Sequence, residues 1–152
     1  MTDYPTLMKT SLRSFALGLI LFVGMSTGTS FAEADRWQKC AVNSSKCPFF
    51  FDVYPKDKAF RTAFNETIQR AGIRKPGWLN GSTATPAEPL PGEGGTRFLL
   101  FACEPHNCTH AFFIIYDPLS VRVRGLYVLE GNTTFFGEVS AAEKNLLLSK
   151  LN

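Results

Sequence analysis

The chain of 152 residues contains two histidines, two tryptophans and three methionines, and nowhere a run of like charge. Its formal charge is +3 with no basic stripe to concentrate it, which argues against binding to nucleic acid or an anionic membrane surface. The longest apolar stretch, Phe15 to Met25, has eleven residues, whereas a membrane-spanning helix needs about 20. Residues 33–152 hold no Cys-X-X-Cys pair and no nucleophile-elbow pattern, so the usual marks of thiol redox and acyl-transfer catalysis are missing. No cofactor is expected. With no internal repeat and no low-complexity tract, a solenoid is excluded too.

What is there begins with an export signal. Lys9 and Arg13 precede the apolar stretch, which leads through small residues to Ser30-Phe31-Ala32. That is the basic, apolar, small-residue order of a cleavable signal peptide. Residues 1–32 are therefore read as a signal, with cleavage after Ala32 as first choice and after Ala34 as the alternative, and the mature protein as exported. Asp3 and Pro5 are foreign to a basic leader and point to Met8 as the translation start. Removing Lys9, Arg13 and Asp3 takes the formal charge from +3 to +2. Residues 33–152 have the size of one domain with one core. They carry all four cysteines, Cys40, Cys47, Cys103 and Cys108, and an even count in an oxidising compartment predicts two disulfides. Three pairings are open; the short spacings favour Cys40 with Cys47 and Cys103 with Cys108.

The mature chain opens with a polar cysteine-bounded loop, CAVNSSKC, and a strand-like apolar run, PFFFDVY. A helix is predicted next, with Asp57 as N-cap, Phe60, Phe64 and Ile68 on the face packed against a sheet, and Gly72 at its C-terminal cap. The Pro- and Gly-rich stretch from Arg74 to Gly95 reads as a long loop with a short strand around Thr83–Thr85. TRFLLFAC and THAFFIIYD flank the second cysteine pair as an antiparallel hairpin. VRVRGLYVLE and TTFFGEV add strands around a turn at Gly131-Asn132, and Ser140 with Glu143 forms a capping box that starts a final helix. The sum is an α+β domain, an antiparallel sheet of four to six strands with helices packed on one side.

The stretch from Phe101 to Phe113, FACEPHNCTHAFF, concentrates the chemistry. Cys103, His106, Cys108 and His110 are competent zinc ligands, but all fall within eight residues, without the spacer that lets two segments close a tetrahedron. Export favours oxidation over thiolate coordination, so no metal is expected. His106 or His110 acting as a base for Ser82 would be a hydrolytic reading, and no known motif supports it. The remaining reading is mechanical. Pro105 fixes one backbone angle, a bridge between Cys103 and Cys108 closes the loop, and Glu104, His106 and Asn107 point outward from it. A rigid polar tip loses little entropy on docking into a cleft.

Cys-Glu-Pro-His-Asn-Cys, residues 103–108, resembles the Cys-Lys-Pro-His-Asp-Cys loop of the periplasmic inhibitor of vertebrate lysozyme family (Ivy). AFNETI is similar to that family's first helix, and PGWLNGSTATPA to its Pro-Ala-Trp-Val segment followed by Gly and Thr-Pro-Ala. The resemblance implies an antiparallel sheet with helices on one side and a protruding disulfide-closed loop. It also implies a periplasmic, non-enzymatic inhibitor of chicken-type lysozyme that protects peptidoglycan. His106 would enter the catalytic cleft, Cys103 and Cys108 would hold the loop, and Glu104, Pro105 and Asn107 would shape it. The alternative partner is an endogenous lytic transglycosylase or a wall fragment. Family members are known as dimers, so a homodimer is among the assemblies implied. Asn107 replaces the family's Asp, Glu104 replaces its basic residue, and Cys40–Cys47 has no obvious counterpart there, which reads as an extra surface staple.

Overall fold

The computed structural model describes residues 31–92 and 94–151. The expected signal falls outside the described residues up to Ser30, and the first helix, α1, starts at Phe31. α1 runs Phe31–Val42, α2 Phe50–Lys56 and α3 Lys58–Arg70. Five strands follow, β1 Thr83–Leu90, β2 Arg97–Glu104, β3 Asn107–Asp117, β4 Arg122–Leu129 and β5 Asn132–Phe136, and then α4, Ala141–Ser149. The strands form one antiparallel sheet in chain order, so every connection is a local hairpin.

Alternation along the central strands sends side chains to two covered faces. Phe98, Leu100 and Ala102 of β2 and Phe112, Ile114 and Tyr116 of β3 join Trp37, Phe50, Tyr54, Phe60, Phe64 and Ile68 in the main core. Phe64 stands edge-on to Phe112 at 5.2 Å, and Phe60 edge-on to Tyr116 at 5.0 Å, geometries that aromatic quadrupoles favour. The opposite face carries Leu99, Ile115 and Leu126, closed by Leu147 of α4. The α+β class and the antiparallel sheet are as expected, and three helices share one face. The final helix departs from that arrangement by covering the other face, which explains why the central strands read as unbroken apolar runs.

α3 is capped as its sequence indicates, with Asp57 Oδ1 accepting from the Phe60 amide at 2.8 Å and Gly72 at φ 73° just beyond its end. α4 has the complete capping box of Ser140 and Glu143. Glu143 also pins α4 to the sheet. Its Oε1 accepts from Arg97 Nη1 at 2.6 Å and from Arg124 Nε at 2.8 Å and Nη2 at 2.6 Å, and Oε2 accepts from Ser140 N at 3.0 Å. Burial works against the charged form, but the hydrogen bonds from Arg124 and Ser140 outweigh it and lower the carboxyl pKa to about 2.

Five further sequence expectations need correcting. PFFFDVY is mostly helix α2: Phe50, Val53 and Tyr54 are buried while Phe51 is exposed, a period near 3.6 rather than 2. CAVNSSKC is helical through Val42 and continues into a 3₁₀ turn at Ser44–Lys46, capped by Asn43 accepting from Ser45 N. Its disulfide, Cys40–Cys47, is not a surface staple, for Cys40 is 0% and Cys47 7% exposed, within the main core. The strand expected around Thr83–Thr85 runs on to Leu90 through Pro86 and Pro89. It tolerates them because it is an edge strand whose register shifts between Thr85 and Glu88. The β4–β5 turn is centred on Glu130 and Gly131, both at positive φ, one residue earlier than read.

Candidate functional site

β2 and β3 converge on the two residues Pro105 and His106, with Glu104 paired to Asn107 across the turn. Pro105 holds φ near −65°, and His106 takes φ 64°. Pro followed by a left-handed residue is the type II signature, a position usually given to Gly or Asn. His106 therefore sits in a conformation that costs a residue with a Cβ about 1–2 kcal/mol. Its side chain is exposed at the apex and makes none of the hydrogen bonds or ion pairs found among the described residues.

The disulfide Cys103–Cys108 closes the base of this turn, with Cα atoms 4.9 Å apart. Cys103 is fully buried in the sheet while Cys108 is exposed, so the bridge ties the tip to the protein's interior. Both sulfurs are committed to that bond. The four-ligand zinc set weighed from the sequence thus has no thiolate to offer. The register jumps between Cys103, opposite Ala111, and Glu104, opposite Asn107. That leaves Cys108, Thr109 and His110 as a bulge that leans toward β4, where Glu130 N donates to Thr109 O at 3.0 Å.

Glu104 does not point outward as the sequence reading had it. Its Oε2 lies 2.8 Å from His110 Nδ1 and accepts from Asn107 Nδ2 at 3.1 Å. Asn107 Oδ1 in turn accepts from Thr109 Oγ1 at 2.6 Å. On its far side His110 presents Nε2, buried and without a hydrogen-bond partner, 3.7 Å from Glu130 Oε1. A carboxylate, an imidazole and a second carboxylate thus run from the β2–β3 turn to the β4–β5 turn. The Glu104 charge also reaches Tyr127, whose hydroxyl pKa is raised by burial first and by this carboxylate second. Of the loop residues singled out by sequence, His106 alone stands clear at the apex, Glu104 and Asn107 brace the turn, and Cys103 and Cys108 anchor it. The His110–Glu130 link was missed. The only signal for it would have been a register that skips three residues of β3.

Ser82 is 5% exposed, and its Oγ makes no hydrogen bond to either imidazole or to any other described residue. Beside the loop, on the face that α4 covers, a cleft of about 420 Å³ is lined by Phe101, Cys108, Phe113 and Val128. No protein-family model matches the chain, and no curated protein matches it. No helix among the described residues is long and apolar enough to cross a membrane.

Proposed function

We propose that this protein is an exported, periplasmic inhibitor of chicken-type lysozyme that blocks the enzyme's cleft with the turn at residues 103–108 and so protects peptidoglycan. The observation that carries the reading is the apex itself: a single exposed imidazole at φ 64°, on a two-residue turn whose base is closed by a disulfide. The sequence resemblance to the Ivy loop supplies the target.

A retaining glycosidase works with two carboxyl groups about 5 Å apart, one an acid and one ionised. A neutral imidazole matches such a pair, since one nitrogen donates to the carboxylate while the other accepts from the acid. Neither carboxyl can then act, and the imidazole offers no bond to cleave. The tip is already ordered by Glu104, Asn107 and the disulfide, so docking costs little conformational entropy. Glu104 and Glu130 place two carboxylates at this end of the sheet, where they complement a basic target even though the whole chain is weakly basic.

The test is a titration of purified processed protein into chicken-type lysozyme acting on cell walls, with binding followed by calorimetry. Stoichiometric loss of lysis is expected. An absence of inhibition at molar excess, with the fold verified, would overturn the proposal. Binding to a lytic transglycosylase or to wall fragments in the same calorimeter would then identify the partner instead.

A further inference from the structure

At the other end of the sheet, where β2 begins and β3 ends, a separate cavity of about 280 Å³ opens between α1, the start of α3 and the β3–β4 connection. Its walls are Trp37, Phe98, Tyr116, Pro118 and Leu119, with the Trp37 ring 4.6 Å from Phe98 and 5.3 Å from Tyr116. Polar groups in a folded interior are almost always paired, yet three groups here have capacity to spare. Trp37 Nε1 is buried and turned toward the Asp57 carboxylate, whose pKa it lowers, without closing a hydrogen bond of ordinary geometry. The Tyr116 hydroxyl makes no hydrogen bond to a described residue, and Tyr116 lines the cavity together with Asp57; its pKa is raised by burial first and then by the Asp57 carboxylate. Asp57 is 1% exposed and commits Oδ1 to the Phe60 amide. Burial is the main cause of its raised pKa, with the Phe60 amide and the Trp37 indole acting in the opposite direction.

We propose that this cavity is a binding site for a small organic cation, a primary ammonium carried on a flat apolar group. An apolar cavity with a few convergent polar groups is the usual form of a small-molecule site, and this one, at about 280 Å³, lies just below the usual range of about 300–1,000 Å³ and suits a ligand of one ring. Asp57 decides the charge. A buried carboxylate is costly unless paired, and an ammonium supplies both the counter-charge and the donors. The lining contains no Lys or Arg, and of its two carboxylates Glu33 has a partner of its own, which leaves Asp57 as the charge that a ligand would meet. Arg36, outside the lining, acts on Asp57 through its charge and offsets part of it, and its Nη1 is buried without a hydrogen-bond partner. The flat group lies against Trp37 and Phe98, where the aromatic faces also favour a cation. This site lies at the opposite end of the sheet from His106 and does not depend on the lysozyme reading.

The experiment follows the Trp37 indole N–H resonance of purified protein during titration with 2-phenylethylamine, with 2-phenylethanol as the neutral isostere. Saturable movement is expected for the amine, with binding of the alcohol weaker by about tenfold or more, the worth of a hydrogen bond to a charged group. Asp57→Asn keeps the cap on α3, because Asn and Asp cap equally well, and it should reduce amine binding by a similar factor while leaving the alcohol unchanged. Tyr116→Phe conserves volume and removes only the hydroxyl; it gives a second reading of the site if Asp57→Asn fails to fold. No saturable response at millimolar amine, meaning a cavity that takes water only, would overturn the proposal. So would equal binding of amine and alcohol, or amine binding unaffected by either variant.

Discussion

Replacing His106 by Gly should move stability and inhibition in opposite directions. In the protein His106 holds φ 64°, a left-handed conformation that glycine adopts freely, so the substitution releases about 1–2 kcal/mol of backbone strain. Glycine also adds freedom to the unfolded chain, a cost of about 0.5–1 kcal/mol. The disulfide at the base of the turn restricts the unfolded loop as well, which holds that cost toward its lower end. The exposed imidazole contributes no packing or hydrogen bond to offset the gain. The net is a stabilisation of about 0.5–1 kcal/mol, or a rise in Tm of about 2–5 °C for a domain of this size. Inhibition of lysozyme should fall by at least about 2 kcal/mol, or thirtyfold, if the imidazole is the desolvated centre of the interface. His106→Ala should lose the same affinity with no gain in stability, because alanine keeps the Cβ. Thermal melts and calorimetric titration of both variants read the two quantities separately. A Gly variant that inhibits like the parent would end the cleft-plugging mechanism. One that melts below the parent would refute the argument that the turn is strained.

Three further perturbations address the scaffold. The Glu143 carboxyl is lowered to about 2 from its ordinary 4.5, so its contribution is complete above pH 4.5 and is lost as pH falls from there through about 2. On the order of 3 kcal/mol is at stake, and urea unfolding between pH 5 and 2 should show the loss in the parent and its absence in Glu143→Gln. Gly125→Ala would drive a Cβ into the Phe113 carbonyl and to 2.7 Å from Phe136 Cζ; chemical denaturation should report a loss of about 3 kcal/mol or more, as for overpacking at its most severe. Replacing Cys40 and Cys47 by Ser places two hydroxyls in the core and should cost more stability than the same change at Cys103 and Cys108, where one cysteine is exposed. Inhibition should weaken selectively in the second pair, and parallel melts and lysozyme titrations distinguish the two.

The parts of the fold legible in the sequence were those where local chemistry and tertiary demand agree. Asp57, Phe60, Phe64, Ile68 and Gly72 specify α3 together, and each takes the role that its type suggests. Ser140 and Glu143 do the same for α4, yet nothing local says that Glu143 also reaches Arg97 and Arg124 on the sheet. Phe49, Phe50 and Phe51 misled because three consecutive aromatics carry β propensity and no period; α2 emerges only because Phe50, Val53 and Tyr54 find Phe60 and Phe64 to pack against. Pro86 and Pro89 hid most of β1 for a related reason. Proline argues against a strand unless that strand lies at an edge, and edge position is a property of the assembled sheet.

The loop shows the same limit at the scale of single side chains. Its composition makes a projecting apex legible, because a short bridge around Pro105 leaves the chain no room to fold inward. Composition does not tell which polar residue projects and which one braces. That depends on the register jump after Cys103, which swings His110 to within 2.8 Å of Glu104 and toward Glu130. Glu104 has an imidazole and an amide to bind. A lysine at that position would face the Nδ1 of His110 without an acceptor between them, so the charge at residue 104 and the histidine at residue 110 form one unit. Exchanging Glu104 alone removes the brace as well as the charge, whereas exchanging His106 leaves the brace in place. The two residues therefore separate the support of the turn from the group it presents.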